Sequence, residues 1–305
     1  MTDNNRQQAL IPEGAILIEN PVGTAPGFIV EDERGVVIAL PGVPREMKHL
    51  MAETVLPYLR KLSGDTGVIV RRVLRTVGIG ESSIDHRISD LMQLSNPSVG
   101  LAAHTGQADV RITARAAART VADEMLDQIE AEIRSRIGEF IYSTTPEETV
   151  ETVVAAALRA TNANVALLET NTQGAVARRL SAGVEAGAEN PVVAHWHVNL
   201  DPAPPALGEL WREIRERQEF DEALAEHVAS QLLIDSGARY AVAILGAAGE
   251  DQGVFGRARG VTWFAVADGQ GVVTSQARYG GSDEFTTVRL GNQALALLWN
   301  RLRAP

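Results

Sequence analysis

The chain has no cysteine among its 305 residues. Disulfides, thiolate metal ligands and cysteine nucleophiles are excluded, and the composition suits a reducing cytoplasm. Lysine is nearly absent too. Only Lys48 and Lys61 occur, so from residue 62 onward the basic side chains are arginine and histidine. A guanidinium does not give up its proton in a protein, so arginine cannot serve as a catalytic base. No apolar run is long enough to cross a bilayer as a helix. Met1 leads into Thr-Asp-Asn-Asn-Arg, which lacks a signal-peptide core. Basic stretches are also missing. Lys plus Arg number 28 against 39 Asp plus Glu, a net charge of −11, and no segment is basic overall. Nucleic-acid binding works by neutralising phosphates, so it is not expected from this balance.

Hydrophobic residues make up 45% of the chain, enough to pack a core and argue against disorder. The length allows two domains or three small ones. Near the start stand two runs rich in glycine and proline, Asn20-Pro-Val-Gly-Thr-Ala-Pro-Gly27 and Leu40-Pro-Gly-Val-Pro-Arg-Glu-Met47. Gly23, Gly27 and Gly42 can take positive φ and leave no side chain in a ligand's way. Pro41 and Pro44 fix φ and stiffen the loop. Glu46 falls in the first turn of a helix through Met47, Leu50, Met51 and Val55, whose free N–H groups could face a phosphate. Taken singly, either run reads as a structural turn.

Periodicity divides the remainder. Residues 1–62 carry strands near 15–19, 27–31 and 36–40 and a helix ending near Leu62. Ser63-Gly-Asp-Thr-Gly67 is a linker by composition. In 63–143, Val68–Val77 reads as a strand. Gly78-Ile-Gly80 is a break, and Ser82 or Ser83 can cap a helix bearing Ile84, Ile88, Leu91 and Met92, which Asn96-Pro97 ends. A strand pair follows around Thr105-Gly106. The next helix carries Val121, Met125, Ile129, Ile133 and Ile137, with Gly138 as its stop. From 144 to 305, helices alternate with apolar strands, which suggests a layered α/β/α domain.

These runs, in this order and spacing, resemble the CinA family of competence- and damage-inducible proteins. The lead-in Asn4-Asn-Arg-Gln-Gln-Ala-Leu-Ile-Pro-Glu-Gly14 fits as well. The resemblance implies an α/β chain of three parts. Residues 1–62 are a partial molybdopterin-cofactor-biosynthesis-like domain. Residues 63–143 form a small α+β KH-like domain, on Gly78-Ile-Gly-Glu-Ser82 and Arg136-Ile-Gly138. Residues 144–305 form the C-terminal α/β/α domain. No GXXG loop of the RNA-clamping kind occurs in the middle part, so a spacer or dimerisation role is favoured there. Family members carry a further stretch ahead of residues 1–62, with most of the polar nucleotide and metal contacts. The expectation is a truncated chain or one whose sheet another polypeptide completes. The family's ADP-ribose pyrophosphatase activity has no visible acid or metal ligand here.

The family's C-terminal domain can hydrolyse the carboxamide of nicotinamide mononucleotide. Its motif Ala-Glu-Ser-Cys-Thr-Gly-Gly becomes Leu168-Glu-Thr-Asn-Thr-Gln-Gly174, and its Thr-Gly-Ile-Ala-Gly-Pro becomes Leu245-Gly-Ala-Ala-Gly-Glu250. The resemblance places Thr170 at the nucleophile. It implies ligand contacts at Glu169, Thr172, Gly174, Gly246, Gly249 and Arg289, the last within Val288-Arg-Leu-Gly-Asn-Gln-Ala-Leu295. The assisting lysine is lost, Gln173 replaces a glycine and Glu250 a proline. A hydroxyl nucleophile needs an adjacent base, so a catalytically degenerate domain is expected. His195 and His197 flank Trp196 and would share one face of a strand. A base or a two-histidine metal site is one reading; a core-edge pair is the commoner one. Glu169 is open between capping the next helix and binding a ribose hydroxyl.

The expectation is a CinA-like protein that binds a small nucleotide (nicotinamide mononucleotide or ADP-ribose-like) or scaffolds, as a homo-oligomer, off the membrane, with no identifiable cofactor or metal. The competing readings are an active nicotinamide-nucleotide amidohydrolase using Thr170, and an accessory protein in DNA transformation or repair.

Overall fold

The computed structural model describes residues 10–64, 67–184, 187–197, 208–217, 220–246 and 260–304. They fall into two compact units, divided between Val68 and Ile69.

In the first unit, β1 (Ile16–Ile18), β2 (Gly27–Asp32) and β3 (Gly35–Ala39) make an antiparallel meander in that order. The backbone then stays helical through α1 (Pro44–Leu50), a π-helical turn (Met51–Val55) and α2 (Leu56–Ser63), with Gly64 left-handed at φ 57°. Pro44 begins the helix, where its missing N–H costs nothing. Ile18, Ile29, Leu50 and Val55 form a small buried core. The opposite sheet face leaves Leu17 and Val37 exposed.

The second unit begins with a sheet ordered β5-β6-β4-β7, of β4 (Val68–Thr76), β5 (Ser98–His104), β6 (Gln107–Ala116) and β7 (Ile141–Ser143). Two helices, α3 (Glu81–Ile88) and α4 (Arg119–Ile137), accompany it. Four local expectations are corrected. Gly80, not a serine, is the N-cap of α3, and no side chain caps it. That helix ends at Ile88, and Leu91 sits on a separate 3₁₀ turn where Arg136 holds Asp90. The buried seam of α4 runs through Ala122, Leu126, Ile133 and Ile137, while Val121 is exposed. The seam is set by which face meets β6. Gly138 does follow the helix, yet it is right-handed and leads into a 3₁₀ turn instead of a left-handed stop.

The second sheet has the order β12-β11-β10-β8-β9. Its central strands β8 (Val165–Glu169) and β10 (Tyr240–Gly246) are buried at every position. Such strands read as unbroken apolar runs because both faces are covered. They run parallel to each other, and β9 (Val192–His197) is parallel to β8. The strands β11 (Thr262–Asp268) and β12 (Gly271–Ala277) are antiparallel. One face packs on α5 (Val150–Ala160), α6 (Ala175–Ala182) and α9 (Glu284–Arg303), through Val154, Leu167, Val176, Phe264 and Leu295. The other packs on α7 (Gly208–Glu216) and α8 (Glu222–Ser236), through Leu168, Trp211, Val228 and Leu245. This is the α/β/α layering that the sequence predicts. Burying each large apolar side chain contributes about 1.5–3 kcal/mol.

Side chains start the helices where sequence chemistry allows. Thr149 and Thr152 form a reciprocal capping box on α5. Asp221 caps α8 through Leu224 N at 2.8 Å, and Asp283 caps α9 through Thr286 N at 3.0 Å. Val77, directly after β4, and Tyr142 of β7 join the core of the second sheet. The two sheets therefore share apolar packing within one unit.

Candidate functional site

The parallel strands β8 and β10 end side by side, and the segment 170–174 turns from β8 into α6. Thr170 is buried there. Its hydroxyl accepts from Gly246 N at 2.8 Å and donates to Gly246 O at 2.7 Å, with Ile244 O at 3.2 Å. The side chain thus bridges the tips of two strands. Among the described residues its other polar neighbour is Asn171 Oδ1 at 3.5 Å, an amide oxygen. None of these acceptors is a base.

Asn171 donates from Nδ2 to Thr262 Oγ1 at 3.0 Å, and Thr262 donates to Tyr279 O at 3.0 Å. Gly246 lies beneath this chain. A Cβ there would stand 2.4 Å from Thr262 Oγ1 and 2.5 Å from Asn171 Nδ2. Only glycine fits. Gln173 holds a left-handed backbone at φ 53°. A β-carbon costs roughly 1–2 kcal/mol in that conformation, which glycine would avoid.

Glu169 is fully buried. Its Oε2 accepts from Thr172 Oγ1 at 2.6 Å and Val176 N at 3.2 Å, and its Oε1 from Ala177 N at 2.9 Å. His195 Nε2 stands 3.4 Å from Oε1, an ion-pair distance too long for a well-aligned hydrogen bond. Burial alone pushes this carboxyl up. The His195 imidazole, the Thr172 hydroxyl and the two backbone N–H groups outweigh that and hold it below the usual carboxylate range. Glu169 therefore caps α6 from the preceding strand, which is one of its two expected roles.

His195 and His197 do share a face of β9, opposite Leu167 and Glu169 in register. Trp196 points to the other face and packs on the α7–α8 core. The side chain of His195 is 27% exposed, while His197 is buried. Among the described residues no group of three or more histidines and acids could hold a metal ion. Gly174 makes this geometry possible. It is left-handed at φ 75°, and a Cβ would lie 2.9 Å from His195 Cε1.

Arg289 does not join this cluster. It lies on α9 with its guanidinium 5.4 Å from the Tyr279 ring and 5.5 Å from the Phe285 ring. The network that sequence reading missed is next to it. Arg179 on α6 donates from Nη2 to Glu151 at 3.1 Å and to Asn292 Oδ1 at 2.7 Å. Asn292 Nδ2 then reaches Thr105 O at 3.1 Å, on the β5–β6 turn. Nothing in local sequence signals a bond across 187 positions.

In the first unit the two glycine- and proline-rich runs do meet. Asn20 Nδ2 donates to Glu46 Oε2 at 2.7 Å and to Ala25 O at 2.8 Å. Their glycines work differently from expectation. Gly23, Gly27 and Gly42 are absent from the positive-φ positions. Gly23 and Gly27 serve close approach instead, since a Cβ would lie 2.1 Å from Glu46 Cδ and 2.9 Å from Ala39 O respectively, and Gly42 faces open space. Pro41 precedes the helix. At its start the Glu46 carboxylate faces Asn20. Gly249 and Glu250 lie outside the described residues.

Three family profiles match the chain. The probable molybdopterin binding domain covers residues 5–61, the damage-inducible protein CinA KH domain 71–143 and the CinA C-terminal domain 147–302. A competence-damage inducible protein of Halothermothrix orenii is 34% identical over 74% of this chain and 58% of its own. One from Caldicellulosiruptor saccharolyticus is 41% identical over 59% of this chain and 44% of its own. A CinA-like protein of Rippkaea orientalis is 31% identical over 95% of this chain and 70% of its own. The chain belongs to the CinA family. It spans about half the length of the first two CinA relatives. No helix among the described residues is long and apolar enough to cross a membrane.

Proposed function

We propose that this CinA-family chain acts by binding a small nucleotide at the tips of β8 and β10, with its amidohydrolase chemistry lost. One observation carries the reading. The Thr170 hydroxyl is committed on its donor and acceptor sides to the backbone of Gly246. A nucleophile in that position would have to break both bonds and find a base. No lysine follows Lys61. The neighbouring Glu169 is engaged by α6 and sits behind Thr172. What remains for a ligand beside these strand tips is the His195 side chain, 27% exposed next to the N-terminal end of α6. The absence of cysteine agrees with a cytoplasmic protein, and the apolar strand surface at Leu17 and Val37 with a homo-oligomer.

A second reading draws on His195, an imidazole beside a buried carboxylate. That pair would be the base of a residual nicotinamide-nucleotide amidohydrolase with Thr170 as nucleophile. Incubating the full chain with nicotinamide mononucleotide separates the two. The binding reading expects saturable heat on titration and no ammonia above background. Sustained ammonia release that disappears in Thr170→Val would replace it with the second.

A further inference from the structure

A cleft of about 550 Å³ opens between the β5–β6 hairpin and α9. Its walls include Gly80, Thr105 and Gly106 on one side and Tyr279, Phe285, Arg289 and Gln293 on the other. None of the groups bonded to Glu169 lines it. The cleft is a different place from the strand tips, and a ligand held in it is independent of whether the strand tips bind or hydrolyse anything.

Two polar side chains of α9 in this cleft are unspent, and the Glu81 carboxylate lines its opposite wall. The first is Arg289. Its guanidinium is held by the Tyr279 and Phe285 rings. Its stem is packed under the hairpin turn, since a Cβ on Gly106 would fall 2.9 Å from Arg289 Cγ. Among the described residues it makes no hydrogen bond and no ion pair. A guanidinium fixed by ring faces keeps its planar fork of donors for an oxyanion, which it meets in bidentate fashion. The second is Gln293, one turn further along α9. Its Oε1 is buried without a partner. A buried acceptor left in that state lacks about 1–3 kcal/mol of bonding, which an N–H or O–H from a ligand would restore. Phe285 adds an apolar ring that is 46% exposed.

We propose that this cleft is a binding site for a purine nucleoside monophosphate. The phosphate sits on Arg289, a hydroxyl or amino hydrogen of the nucleoside reaches Gln293 Oε1, and the neutral base lies against Phe285. The volume is in the range of small-ligand pockets. A pyridinium nucleotide is disfavoured, because its cationic ring would stack in the same small space as the guanidinium. A ligand here touches both the hairpin and α9, so it clamps the first sheet of the unit onto the second.

The test uses the full chain and adenosine 5′-monophosphate in titration calorimetry, with adenosine, inorganic phosphate and nicotinamide mononucleotide as parallel probes. Saturable binding of the monophosphate is expected. Arg289→Met keeps the apolar stem under Gly106 and should weaken it at least about tenfold. Gln293→Leu should weaken the monophosphate but leave inorganic phosphate unchanged. Glu169→Gln, which alters only the strand-tip site, should have no effect on it. Circular dichroism of each variant checks that it is folded. Absence of monophosphate binding at about 1 mM ligand overturns the proposal. So does inorganic phosphate binding as tightly as the monophosphate, which would make the cleft a simple anion site. Loss of binding in Glu169→Gln with retention in Arg289→Met would move the ligand to the strand tips.

Discussion

Thr170 and Gly246 are bonded to each other twice, hydroxyl to N–H at 2.8 Å and hydroxyl to C=O at 2.7 Å. The consequence is structural. Thr170→Val removes the hydroxyl at constant shape and leaves a buried donor and acceptor unpaired. A loss of about 1–3 kcal/mol is expected, read as a lowered urea midpoint at unchanged slope. Thr170→Ser restores both bonds and most of that stability. A neutral effect of Thr170→Val on the midpoint would show that the bridge is not what holds the strand tips.

Glu169 makes stability depend on acid. Its folded-state pKa is depressed, so its contribution is complete at pH values above the ordinary carboxylate range. That contribution declines as pH falls through the lower folded value, where the carboxylate must take a proton it has no room to donate. Glu169→Gln puts an amide against the N–H groups of Val176 and Ala177. The variant is expected to be less stable at pH 7 by about 1–3 kcal/mol and to show a flatter acid limb than the parent. Thermal midpoints from about pH 3 to 8 would measure both.

Gly174 should not tolerate a methyl group. Gly174→Ala meets a left-handed φ of 75° and places Cβ 2.9 Å from His195 Cε1. Backbone strain of about 1–2 kcal/mol is expected, together with displacement of the imidazole from Glu169. The NMR chemical shifts of the His195 ring would report that displacement. Unchanged ring shifts would sever the connection between the two residues.

Gly106 is the contact between the hairpin turn and α9. Gly106→Ala drives Cβ to 2.9 Å from Arg289 Cγ and 3.1 Å from its Cα, at φ 71°. Since Cα cannot swing away, the turn must lift and the Asn292–Thr105 bond with it. The expected result is a destabilisation of about 1–3 kcal/mol. Hydrogen exchange should quicken in 104–107 ahead of the strands on either side.

The layered C-terminal architecture was legible because β8 is apolar up to Glu169, β10 is apolar throughout and α9 ends its pattern cleanly at Leu302. The seam of α4 was not. Val121 and Ala122 are both apolar, and only contact with β6 decides which one turns inward. The three early glycines were misread for a similar reason. A glycine is equally at home at positive φ and beneath a neighbour's carboxylate, and Glu46 is 23 residues from Gly23.

The sequence alone determined what chemistry is missing. A chain without cysteine cannot supply a thiolate in any fold, and residues 62–305 contain no lysine of their own. It also determined the family, through motifs that stand in order along the chain. Only the tertiary structure decided the fate of the groups that remain. A hydroxyl, a carboxylate and a guanidinium keep the same intrinsic chemistry wherever they lie. Thr170 is spent on Gly246, Glu169 on α6, and Arg289 is left open between two rings, because hydrogen bonds and burial are set by neighbours that are distant in sequence.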